Sequence, residues 1–84
     1  METITVYGAM WCPDCRRSKR FLDRNDVTYT WVDTDADPEG YPAIERITGG
    51  GRSIPTIVFP DGSYLVEPPD DILGAKLGIA PAEG

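Results

Sequence analysis

The chain has 84 residues, 40% hydrophobic and 26% charged, which predicts one small folded domain over residues 1–84 and argues against disorder. Eight basic residues against fourteen acidic ones give a net charge of −6, so nucleic acid is excluded as the expected partner. No His is present, which removes imidazole bases, Ser-His pairs and His-containing zinc sites, and most hydrolase chemistry with them.

In chain order, Thr3-Ile4-Thr5-Val6-Tyr7 is β-branched and aromatic and predicts a strand with Ile4 and Val6 on one face. Gly8-Ala9-Met10 is a short loop. Trp11-Cys12-Pro13-Asp14-Cys15 then opens a helix, with Pro13 suited to a first helical position where its missing N–H costs nothing. Trp11, Cys15, Ser18 and Leu22 fall on one stripe with Phe21 beside it, leaving Arg17, Lys19, Arg20 and Arg24 in water. Asn25-Asp26 is a turn and Val27 to Val32 a second strand. The acidic stretch Asp33 to Gly40 offers Thr34 or Asp37 as cap for a helix over about Pro38–Thr48. The run Gly49-Gly50-Gly51 stops that helix. Thr56-Ile57-Val58-Phe59 is a third strand, Asp61-Gly62 a hairpin turn and Ser63–Val66 a short fourth strand. Pro68-Pro69-Asp70-Asp71 begins a final helix ending near Gly78. The order βαβαββα predicts an α/β fold: one mixed, four-stranded sheet flanked by three helices, with a right-handed crossover in the first unit.

Apolar stretches such as Ile54–Pro60 are far short of the ~20 residues that span a bilayer. Met1-Glu2-Thr3 lacks the basic start of a signal peptide. A cytoplasmic chain with no membrane partner is the expectation. The cluster Arg16, Arg17, Lys19 and Arg20 runs against the overall acidity.

Cys12 and Cys15 carry the chemical signal. As a structural staple the pair would close a loop worth at most about 2 kcal/mol and tie no distant segments together. A zinc site would need further ligands that a chain with two Cys and no His lacks. At a strand-to-helix junction the spacing means something else. Cys12 lies where free N–H groups and the positive end of the helix dipole favour a thiolate, and Cys15 sits one turn deeper on the same side. The outer sulfur can attack a disulfide and the inner one can resolve the product, so the pair reads as a redox couple. Asp14 sets a carboxylate near the dithiol, against which Arg16 and Arg17 act, and it also suits the first helical turn. Trp11 can either bind substrate or cover the core. From peptide-bond statistics alone Pro55 is trans, since only about 5–6% of X-Pro bonds are cis.

Taken together, Trp11-Cys12-Pro13-Asp14-Cys15, Gly50-Gly51-Arg52-Ser53-Ile54-Pro55-Thr56 and Asp61-Gly62-Ser63 resemble the glutaredoxin family of the thioredoxin fold, and most of all its actinobacterial mycoredoxins. The resemblance covers nearly the whole chain. It implies a thiol–disulfide oxidoreductase with Cys12 as nucleophile and Cys15 as resolving thiol. Pro55 would be the family's cis-proline beside the dithiol, and Ile54 would offer its backbone to the substrate in strand-like pairing. Trp11, Pro13 and Asp14 would form one wall of the substrate groove, Arg52 and Ser53 another. No bound cofactor is implied. The co-substrate would be a low-molecular-weight thiol, and the partners thiolated or disulfide-containing proteins and a flavin disulfide reductase, with the chain acting as a monomer.

The chain departs from glutathione-using glutaredoxins at Ala9, where they carry Lys, and at Glu67-Pro68-Pro69-Asp70, where they carry a Gly-Gly pair. Glutathione brings two carboxylates that need partners; mycothiol lacks them, which favours mycothiol. Pro13-Asp14 departs from the pair usual between the cysteines of mycoredoxins. Two other readings share these residues. One is a redoxin fed by thioredoxin reductase that donates electrons to ribonucleotide reductase, although the C-terminal Trp-Ser-Gly-Phe-Arg-Pro type sequence of that group is missing. The other is a [2Fe–2S] carrier bridging two chains, against which Pro13 counts.

Overall fold

A computed structural model describes residues 3–79; the Met1-Glu2 start lies outside the described residues. Strand β1 is Ile4–Gly8, α1 Pro13–Arg24, β2 Tyr29–Asp33, α2 Gly40–Thr48, β3 Thr56–Val58, β4 Tyr64–Val66 and α3 Asp70–Leu77. The strands form one mixed sheet in the order β2-β1-β3-β4. β1 and β2 run parallel with Ile4 opposite Tyr29, whereas β1–β3 and β3–β4 are antiparallel. The predicted α/β order is the observed one.

The alternation of β1 decides which face is buried. Ile4 and Val6 point inward and pack with Leu22 of α1, Ile57 of β3, Phe59 and Leu73 of α3 as the core cluster. A strand's period of two makes this face apolar and leaves Thr5 and Tyr7 on the other. Ala43 and Ile44 of α2 are buried outside that cluster. No helix among the described residues is long and apolar enough to cross a membrane.

Several boundaries shift from expectation, each because a backbone bond claims a residue. The second strand starts at Tyr29 rather than Val27. Asp26 takes a positive φ of 56° and the Val27 amide donates to the Leu22 carbonyl at 3.0 Å, which folds that stretch into the end of α1. Neither Thr34 nor Asp37 caps α2 by its side chain. Thr34 turns inward, where its amide and hydroxyl both donate to the Gly8 carbonyl at 2.9 and 3.3 Å. Asp37 instead accepts from the Glu39 amide at 2.9 Å, and the helix begins at Gly40. The stops fall where expected. Gly49 and Gly78 end α2 and α3 at φ 81° and 75°, a left-handed geometry that glycine adopts without a Cβ clash.

Gly8 matters for a different reason. A Cβ there would stand 2.8 Å from Cys15 Sγ and 3.0 Å from the Trp31 ring, so only a bare backbone lets β1 approach the start of α1. Gly8→Ala is expected to lower the urea midpoint by an amount equivalent to about 1–3 kcal/mol, the usual cost of overpacking. An unchanged midpoint would show that the sulfur yields without cost.

Candidate active site

Cys12 is the N-cap of α1, with extended backbone (φ −85°, ψ 120°), and Pro13 is the first helical residue. The Cys12 side chain makes no capping bond, so the sulfur is left for chemistry at the helix end where first-turn amides lack intrahelical partners. Cys12 keeps 9% exposure and Cys15 none. The outer residue can therefore meet a substrate, whereas the inner one is closed to solvent. Both are free thiols.

Burial pushes the Cys15 thiol up to about 12 from 9.0, and the neighbouring Cys12 side chain and the Asp14 charge push the same way. The Ala9 N–H, 3.5 Å from Cys15 Sγ, acts in opposition and is outweighed. Desolvation dominates because a thiolate sealed from water loses its hydration.

Across the site, the Ile54 carbonyl stands 4.0 Å from Cys12 Sγ. The Ile54–Pro55 peptide is cis, which corrects the expectation from peptide-bond statistics and agrees with the resemblance. Pro55 is fully buried, and its carbonyl accepts from the Glu67 amide at 2.8 Å. The Thr56 hydroxyl donates to the Ser53 carbonyl at 2.8 Å, which holds the turn into β3. Two segments 42 residues apart thus meet at one sulfur.

The remaining candidates divide. Trp11 is 62% exposed, contrary to its placement on the buried helical stripe: it precedes the helix, so helical spacing does not govern it. Its indole Nε1 donates to Asp35 at 2.6 Å, which ties the ring to the β2–α2 loop. Pro13 is exposed and Asp14 half-buried. Arg17 is half-buried rather than left in water. It donates to Asp14 at 2.9 Å and to the Pro68 carbonyl at 3.2 Å, tying the first turn of α1 to the segment before α3. Its Nε lies 3.8 Å from Asp70 Oδ1, too far for a hydrogen bond, and both atoms are buried without another partner among the described residues. Arg52 turns toward α2, paired with Glu45 at 2.6 Å and standing over the Tyr41 ring at 5.4 Å. Its guanidinium is thus engaged by α2, and Ser53, next in the chain, is exposed.

Sequence reasoning passed over Gly8 and Asp35 as contributors to the site, and took Ala9 and Asp70 only as departures from the glutathione-using pattern. Gly8 had a signal, since a glycine ending a strand before a cysteine helix suggests close packing. Asp35 had none, lying unmarked in an acidic loop.

The glutaredoxin family model matches residues 4–65, which include both cysteines and the Ile54–Pro55 turn. A Mycobacterium tuberculosis protein named as a glutaredoxin is 36% identical over 74 residues, 88% of each chain. Mycoredoxin 1 of Corynebacterium glutamicum is 32% identical over 68 residues, 81% of this chain and 84% of that one. Among solved structures, a thioredoxin-like protein superposes with TM-score 0.82 and 30% identity over 95% of this chain and all of its own. The Archaeoglobus fulgidus glutaredoxin gives 0.80 at 23% identity over 92% of this chain and 87% of its own, which speaks for the fold. A shared fold, a shared family pattern across the site and relatives of equal length lead to one conclusion: the chain belongs to the glutaredoxin family, whose activity is thiol–disulfide exchange.

Proposed function

We propose that the chain, as a single domain, reduces mixed disulfides of proteins by dithiol exchange. In this reading Cys12 is the nucleophile and Cys15 the resolving thiol. The observation that carries it is the graded burial of the two cysteines at the start of α1, with the Ile54 carbonyl 4.0 Å from the outer sulfur. The Cys12 thiolate attacks one sulfur of the substrate disulfide; a Cys12–substrate bond forms and the other sulfur leaves as a thiolate. Cys15 then attacks Cys12 Sγ, its proton passing to the departing thiol. The Cys12–Cys15 disulfide forms and the substrate is released with two electrons gained. Among the described residues the Ile54 amide bonds no backbone acceptor, which suits a substrate strand pairing there. Trp11, Pro13 and Asp14 flank the outer sulfur along the chain, with Arg52 and Ser53 on the turn opposite.

The reductant in this reading is a small thiol, mycothiol before glutathione, regenerated by a flavin disulfide reductase. Similarity to Mycoredoxin 1 supports it. So does Ala9, which is fully buried and offers no cation to a carboxylate. Turnover of a mixed-disulfide substrate, measured with mycothiol, glutathione and thioredoxin reductase in parallel, tests the assignment. The mycothiol couple is expected to sustain the fastest rate, and exclusive turnover with thioredoxin reductase would overturn it.

A further inference from the structure

The charge of this protein is unevenly placed. Helix α1 holds five of the eight basic residues and two of the fourteen acidic ones, so it is net +3 in a chain that is net −6. Met10, Arg16, Lys19, Arg20, Asp23 and Arg24 line an open groove of about 290 Å³ along it. At about 3.6 residues per turn, Lys19 and Asp23 continue the helix face that begins at Cys12, and Arg16, Arg20 and Arg24 form its flank. The groove therefore leads away from the outer sulfur.

Not all of these charges are available. Lys19 pairs with Asp23 at 3.3 Å, and Asp23 also accepts from the Tyr29 hydroxyl at 2.7 Å. Arg16 donates to the Met10 carbonyl at 2.8 Å, a bond that fixes the guanidinium without neutralising it. Among the described residues no carboxylate pairs with Arg16, Arg20 or Arg24, and all three are exposed. Near the dithiol the nearby acids are partnered, Asp14 by Arg17 and Asp35 by Trp11. Beyond Trp11 lie Asp33 at the end of β2 and the acidic β2–α2 loop with Asp35, Asp37 and Glu39. Cys12 thus stands between a cationic side and an anionic one, with Met10 and Trp11 exposed at 51% and 62% along the border.

We propose that the Arg16–Arg20–Arg24 ridge is the docking surface for an acidic segment of a partner protein, which it orients so that the partner's disulfide reaches Cys12. The inference rests on the reading of Cys12 as nucleophile. A groove this open, with no buried cation, does not enclose a small anion, and the net charge of −6 repels a nucleic-acid backbone. At about 0.1 M salt the Debye length is about 10 Å. Arg16 is about 6 Å along the helix axis from Cys12, within that length, so a segment docked along α1 feels the ridge as it approaches the sulfur. Such charges act mainly on the rate of productive encounter.

The test uses the reduced 84-residue chain and three probes. Two are short peptides whose single cysteine is in mixed disulfide with 2-mercaptoethanol, one flanked by Glu and one by Lys; the third is bis(2-hydroxyethyl) disulfide, which is neutral. Second-order rates are followed by tryptophan fluorescence at about 0.1 M and about 0.5 M salt. The Glu peptide is expected to react about tenfold faster than the Lys peptide at the lower salt, with the ratio shrinking at the higher one. Arg20→Glu combined with Arg24→Glu is expected to abolish or invert the ratio. Equal peptide rates, or a ratio that survives in the double variant, overturn the docking surface while reduction of the neutral disulfide leaves the Cys12 reading intact. Failure to reduce the neutral disulfide overturns that reading itself. Sedimentation showing the wild type as a dimer and the double variant as a monomer would assign the ridge to a second copy and overturn the proposal.

Discussion

Cys12→Ser is expected to abolish turnover of every disulfide substrate, whereas Cys15→Ser keeps single-thiol exchange with mixed disulfides. A serine hydroxyl is not ionised at neutral pH, so position 12 then holds no sulfur nucleophile. The loss will not come from misfolding. Position 12 is an N-cap without a capping side chain, and Ser is among the preferred caps, so the variant should be as stable as the parent or slightly more. Cys15→Ser is gentler on the chemistry: the outer sulfur still attacks, and a second small thiol must release the product. Steady-state rates on a mixed-disulfide peptide and on a protein disulfide check both. Retained activity in Cys12→Ser would reverse the assignment of roles, and equal loss in both variants would mean that Cys15 also serves the first step.

The second large effect is selectivity toward alkylation. With Cys15 raised to about 12 from 9.0 by burial, its thiolate fraction at pH 8 is about a thousandfold below that of an unperturbed thiol. Iodoacetamide at pH 8 should therefore place one label per chain, on Cys12, as read by peptide mass spectrometry. Labelling of Cys15 should rise about tenfold per pH unit toward pH 12. Two labels at equal rates at pH 8 would contradict the burial argument. The same shift has a consequence for folding. Its sign follows from the folded value lying above the unfolded one, so the neutral thiol is the form the fold prefers. The contribution is fully present below about pH 9 and is lost as pH rises through about 12. The difference in urea midpoint between the chain and its Cys15→Ser variant should shrink across that window.

Much of this architecture was legible from local pattern. The alternation of Ile4 and Val6, the Cys15, Ser18 and Leu22 stripe and the glycine stops at Gly49 and Gly78 all appear in the fold. Each reflects a preference set within a few residues, by the period of a strand or helix or by the steric freedom of one glycine. Strand and helix edges were less legible. At Val27 and Thr34 a carbonyl supplied by another element, Leu22 or Gly8, took the bond that the local pattern left open.

The site divides the same way. The sequence alone determined that two thiols stand at the mouth of a helix one turn apart, because the spacing of Cys12 and Cys15 and the preference of Pro13 for the first helical turn are local facts. Only the tertiary structure decided that Trp11 faces outward against Asp35, that Arg17 reaches Pro68, that Arg52 serves Glu45 and that Ile54 meets Cys12. The Arg17 and Ile54 contacts span 51 and 42 residues of chain. Local propensity carries no information over such distances; packing of the sheet against its helices does, by fixing which carbonyls and carboxylates each long side chain can reach.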